Sequence, residues 1–124
     1  MYSPTFWDHV RHPRNNRTLS DALVGEARFH RCGDRLTLYL KVDNQKRITE
    51  ATFCAKACAP VIAVASMATE SLVDKQAEEA LHLNIFEMDR ELGGIPASKR
   101  HAFLIFIECL HDALQHFKQL GPIP

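Results

Sequence analysis

The stretch Leu36-Thr37-Leu38-Tyr39-Leu40-Lys41-Val42 places an apolar residue at every second position. That is the period of a strand with one buried face. Upstream, Leu23 to Phe29 is a weaker extended stretch. Downstream, the polar turn Asp43-Asn44-Gln45-Lys46 leads into Ile48 to Ala55, whose Thr and apolar content suits a third strand. Three strands joined by short turns imply an antiparallel meander.

Helical signals flank this sheet on both sides. Ser3 is placed to cap a short helix from Pro4 to His12, with Phe6, Trp7 and Val10 as its apolar face. His12-Pro13-Arg14-Asn15-Asn16 then breaks it. After the third strand, Pro60 suits a first helical turn, and Val61 to Val73 is apolar all round, many of its residues small. Helix signals continue through Ala77 to Leu92 and stop at Gly93-Gly94. Ser98 is the expected cap of a final helix reaching about Lys118, with Phe103, Phe106, Leu110, Leu114 and Phe117 at helical spacing, and Gly121-Pro122-Ile123-Pro124 ends it. The fold class is therefore α+β: a three-stranded antiparallel sheet packed against several helices, in one domain spanning residues 1–124.

Composition removes several functions. Lys plus Arg and Asp plus Glu both number 15, so there is no net field to hold nucleic acid or an acidic membrane. The longest apolar stretch, about Ala57 to Ala65, falls well short of the ~20 residues that cross a bilayer. Met1-Tyr2-Ser3-Pro4 does not begin a secretory signal pattern, and a cytoplasmic location is expected. In that reducing compartment Cys32, Cys54, Cys58 and Cys109 read as thiols open to metal or sulfur chemistry rather than disulfides.

Chemistry concentrates at three places. Arg31-Cys32-Gly33-Asp34 lies between the first two strands, a thiol and a carboxylate around a glycine that lets the turn close. Cys58 opens a helix, where free amides and the positive dipole end favour a thiolate. His101 lies in the first turn of the last helix. If the hairpin and the two helix starts converge, Cys32, Asp34, Cys58 and His101 form a set able to bind zinc or hold one side of an iron–sulfur cluster. Cys54 on its strand reads as a half-buried neutral thiol, Cys109 as core, and the other six histidines as solvent-facing or turn residues. Arg11, Arg14 and Arg17 read as a solvated loop.

At these residues the chain resembles the IscU/NifU N-terminal family of iron–sulfur cluster assembly scaffolds, over nearly its whole length. Asp8-His9-Val10-Arg11-His12-Pro13-Arg14-Asn15 is similar to the family's amino-terminal DHxxxPRN signature, Cys32-Gly33-Asp34 to its CGD loop, and Ala57-Cys58 to its GC. Ile62-Ala63, Ser66 and Thr69-Glu70 fall on the family's following helix, and the interval from Cys32 to Cys58 is that of the IscU branch. The insertion that the SufU branch carries before its last motif is absent. The last motif departs: where the family has Lys-x-His-Cys, this chain has Lys99-Arg100-His101-Ala102, a variant without the third cysteine. The family's chaperone segment LPPVK survives only as Ile95-Pro96-Ala97-Ser98-Lys99, so chaperone docking is not carried over.

The resemblance implies a scaffold that binds a nascent iron–sulfur cluster, of the two-iron, two-sulfur type, or iron or zinc. Its implied ligands are Cys32, Asp34, Cys58 and His101, with Lys99 at the rim. The implied partners are a cysteine desulfurase and proteins that accept the cluster. In the family the third cysteine is also the sulfur acceptor, which Ala102 cannot be. A zinc-binding paralogue that regulates assembly without performing it is the alternative. A thiol enzyme with Cys58 as nucleophile, His101 as base and Asp34 as orienter is the minor reading, since no oxyanion-hole motif is legible.

Overall fold

A computed structural model describes residues 2–29 and 33–120, the side chains of 116–120 excepted. Cys32 and Arg31, the side chain of Phe117 and the ending Gly121-Pro122-Ile123-Pro124 thus lie outside the described residues. Strands β1 (Leu23–Phe29), β2 (Asp34–Val42) and β3 (Ile48–Lys56) form one sheet in the order β1-β2-β3. Both pairings are antiparallel, with Gly25 opposite Leu38 and Leu38 opposite Phe53. Leu36, Leu38 and Leu40 are buried, as their alternation requires, and Asp34 continues that buried row to the strand's first residue.

The helices stand on the buried face. Helix α2 (Ala59–Leu72) packs on β3, and α5 (His101–Leu120) packs on β1 and β2. Helix α2 buries ten residues, Val61, Ala63, Val64 and Ala65 among them, because its apolar surface runs right round and is covered by sheet, α5 and the N-terminal helix. Helix α5 contributes Phe103, Phe106, Leu110 and Leu114 to the same core. Between them lie α3 (Ala77–Ala80) and α4 (Ile85–Glu91).

That region corrects two expectations. The signals from Ala77 to Leu92 make two short helices, because Asn84 turns its side chain to accept from the Phe86 amide at 2.7 Å and so starts a new helix. Ser98 does not cap the last helix: Ala97–Lys99 is one 3₁₀ turn, and α5 opens at His101. Among the described residues no helix is long and apolar enough to cross a membrane.

Helix α1 (Pro4–Arg11) begins as expected, with Ser3 Oγ accepting from the Phe6 amide at 3.0 Å. Ser3 Oγ also donates to the Leu92 carbonyl, which ties the helix start to the end of α4. His9 overturns its reading as a solvent-facing residue, being only 6% exposed. Its Nδ1 lies 2.7 Å from Ser66 Oγ on α2, and that oxygen already accepts from the Arg14 amide at 2.8 Å. The hydroxyl proton is therefore directed to the ring, Nδ1 accepts it, and the imidazole is neutral with its proton on Nε2. Asn15, at φ 61, donates to Thr69 Oγ1 at 3.2 Å and accepts from the Phe53 amide at 2.9 Å. The amino-terminal signature is thus a latch that fastens α1 to α2 and β3.

Burial, reinforced by the Arg14 charge, lowers the His9 pKa below the ordinary histidine value. The unfolded chain consequently takes up this proton first as pH falls. Stability is full above about pH 6.5 and declines below it, by at most ~1.4 kcal/mol per pH unit for one proton. Asp8, held below its ordinary value chiefly by its hydrogen bond from Arg14, loses its contribution only below about pH 4. Thermal unfolding of wild type and His9→Asn between these two limits is the check: the variant keeps an acceptor near Ser66 and should show a flatter profile. Identical slopes would remove His9 from the account.

Candidate metal and cluster site

Three elements end at one corner of the buried face. Asp34 opens β2 and is 4% exposed, Cys58 is the N-cap of α2, and His101 is the first residue of α5. Asp34 grips Cys58 twice, Oδ1 accepting from its amide at 3.0 Å and Oδ2 from its thiol at 3.1 Å. The carboxylate thereby takes the N-cap residue's own amide, as an acid at N3 does in a capping box; N3 here is Val61, and Cys58 makes no side-chain cap of its own.

His101 is held from its other side. Its ring stacks on Phe29, the last residue of β1, with centroids 4.6 Å apart and planes at 22°. Nε2 then faces Asp34 Oδ2 at 3.7 Å. Among the described residues this Nε2 is buried with no hydrogen-bond partner. An imidazole nitrogen kept dry and unpaired is costly unless something occupies its lone pair or takes its proton.

One carboxylate oxygen, one sulfur and one imidazole nitrogen lie within 4.8 Å of one another. Ligands at zinc distances of about 2.0–2.3 Å in a tetrahedron stand roughly 3.3–3.8 Å apart. The 3.1 Å and 3.7 Å separations to Asp34 Oδ2 are close to that edge length. Two of the three edges therefore match a zinc shell, and the Cys58 and His101 donors lie within 4.8 Å of each other, so the residues suit a zinc ion. Gly33, at φ 70, closes the loop between the strands by donating to the Phe29 carbonyl at 2.9 Å. Both ends of the Cys32 loop, Phe29 and Asp34, consequently belong to the site.

A model of the NifU-like N-terminal domain matches residues 1–121. The chain belongs to the NifU-like N-terminal domain family. One relative in this family, the iron-sulfur cluster assembly scaffold protein IscU 1 of Archaeoglobus fulgidus, is 38% identical over 99% of this chain and 81% of its own. The zinc-dependent sulfurtransferase SufU of Bacillus subtilis is 33% identical over 68% of this chain and 56% of its own. The fold is shared with a crystal structure of a putative iron-sulfur cluster assembly scaffold protein for the SUF system from Fervidobacterium islandicum AW-1. That similarity has a TM-score of 0.75 at 22% identity, over 91% of this chain and 96% of that one.

The remaining thiols do not complete the family's three-cysteine pattern. Ala102 is fully buried in α5 beside His101. Cys109 is also fully buried, donates to the Leu36 carbonyl at 3.1 Å, and is pushed far above the ordinary thiol range by burial. Cys54 pairs with Thr37, on the sheet face opposite Asp34 and Leu36, so the strand would have to turn over to bring it in. Lys99 is exposed in the 3₁₀ turn, two residues before His101. Phe29 was missed as a positioning residue, because its stacking on His101 depends on a register that no local pattern gives.

Proposed function

We propose that this chain is a scaffold that holds a nascent iron–sulfur cluster as cargo and hands it on, with Cys32, Asp34, Cys58 and His101 as ligands and sulfur drawn from a cysteine desulfurase. The observation that supports this most is the juxtaposition of the Asp34, Cys58 and His101 donor atoms, with the imidazole nitrogen buried and, among the described residues, making no hydrogen bond. Thiolate suits iron and sulfide, while a carboxylate ligand exchanges more readily and leaves a position from which cargo can depart. Ligation requires the Cys58 proton to leave, and Asp34 Oδ2 is already its hydrogen-bond acceptor. Lys99 supplies a cation at the rim. The protein acts by binding and transfer rather than turnover: the thiol donates to a carboxylate, not to a base positioned as in a catalytic triad. Ile95, in the altered chaperone segment, is buried and donates its amide to Asp89 at 2.9 Å, which supports handling without that chaperone.

Zinc is the second reading. Among the described residues Cys58 is the sole thiol in the donor group, and a mixed sulfur, nitrogen and oxygen set suits zinc. Anaerobic reconstitution of the reduced protein with iron, cysteine and a desulfurase, followed by iron, acid-labile sulfide and zinc analysis, separates the two. Bound iron and sulfide in the wild-type chain is the expected result. Zinc alone, with a cluster appearing only in Ala102→Cys, would overturn the scaffold reading and establish the zinc one.

A further inference from the structure

The strand register lays three cations in one row. Arg28 of β1 pairs with Arg35 of β2, and Arg35 pairs with Lys56 of β3. All three are exposed, on the sheet face opposite the helices. Strands lie about 4.8 Å apart, so the row spans roughly 10 Å. Like charges directly opposite each other destabilise a sheet. Yet none of the three makes an ion pair among the described residues, and Glu26, the acid one rung away on the same face, makes none with them.

The row lies at the same end of the strands as the site but on the opposite sheet face. Arg35 follows Asp34, Arg28 precedes the Phe29 that stacks on His101, and Lys56 lies two residues before Cys58. Anything seated on the row would stand across the sheet from the corner where the donor atoms meet.

We propose that Arg28, Arg35 and Lys56 form a docking surface for an acidic protein partner, one presenting a cluster of carboxylates about 10 Å wide. Three separated charges on long stems match a broad carboxylate-bearing surface better than a single small anion, which needs convergent donors. The chain's zero formal net charge gives no extended field for nucleic acid. Sheet stability is reduced for this surface, and attraction of an acidic partner to this end of the sheet is what the arrangement gains. That the partner delivers or removes cargo rests on the scaffold reading above; the docking does not.

The test is fluorescence anisotropy of a labelled hexaglutamate peptide titrated with the full chain at low salt. Saturable binding is expected to weaken about tenfold in Arg28→Gln/Arg35→Gln/Lys56→Gln, since three exposed ion pairs are lost together. The charge-matched control Arg11→Gln/Lys46→Gln/Arg90→Gln should stay within about twofold of wild type if position rather than net charge decides. The row variant should also melt at a higher temperature than wild type, as like-charge crowding is relieved, and should bind zinc as wild type does. Equal weakening in both variants, no weakening in either, or displacement of the peptide by inorganic phosphate at equal charge would overturn the proposal. Loss of zinc binding in the wild-type chain would instead count against the site reading, and leaves the peptide result intact.

Discussion

Gly25→Ala is expected to be the most destabilising single-methyl change in the sheet. Gly25 lies opposite Leu38 on the buried face, directly beneath α5. A Cβ there would stand 2.0 Å from the Cys109 carbonyl oxygen, 2.7 Å from the Ala113 amide nitrogen and 2.9 Å from Ala113 Cβ. Two of these are backbone atoms of a helix and cannot swing aside, so α5 must lift from β1 as a body. Overpacking a core costs about 1–3 kcal/mol when side chains adjust, and the upper end or beyond applies here. For a domain of this size that is a fall in Tm of roughly 10 °C. Because α5 begins at His101, its displacement should weaken zinc binding as well. Denaturant unfolding of wild type and variant with zinc titration checks both effects; an unchanged Tm would show that the close approach of α5 to β1 can relax.

Gly25 illustrates what the sequence could and could not reveal. The central strand was legible because Leu36, Leu38 and Leu40 alternate with residues that face away from the core. The first strand read weakly for the reason that it packs well: a glycine lowers strand propensity, yet here it makes room for a helix from the other end of the chain. His9 was misread for a similar cause. Its partner Ser66 is 57 positions away, and nothing local distinguishes a histidine that will accept a buried hydroxyl from one that faces water. Local side-chain competition explains the departure at Asn84, which starts a helix of its own; Ser98 instead sits within a 3₁₀ turn.

At the site, helix starts and a strand start carry readable signals, and Asp34, Cys58 and His101 do meet. The grip of Asp34 on the Cys58 amide had no such signal, since the carboxylate caps a helix 24 positions on. Cys54 is excluded by strand parity, a property that appears only once the register with Thr37 is known. The cation row is register-dependent in the same way: Arg28, Arg35 and Lys56 are scattered in sequence and adjacent only across strands.

Cys58→Ser is expected to abolish cargo binding while leaving the fold intact. Cys58 is an N-cap, a position where serine is among the preferred residues, and Asp34 can still accept from both the amide and the new hydroxyl. Serine therefore preserves the local hydrogen bonds and removes only the soft donor. Loss of a residue that merely orients a metal ligand costs 10–100-fold in affinity, so loss of this thiol should cost at least about 100-fold for zinc. Asp34→Ala makes the necessary contrast. It keeps the thiol but leaves the Cys58 amide without that acceptor, a destabilisation of about 1–3 kcal/mol. Cys58→Ser thus removes a ligand at no cost to the fold, whereas Asp34→Ala removes a ligand and a structural bond together. Zinc titration with unfolding measured on the same samples tests the contrast: Cys58→Ser should unfold like wild type and bind neither zinc nor cluster. A Cys58→Ser chain that still holds cluster would move the ligand set away from this helix start.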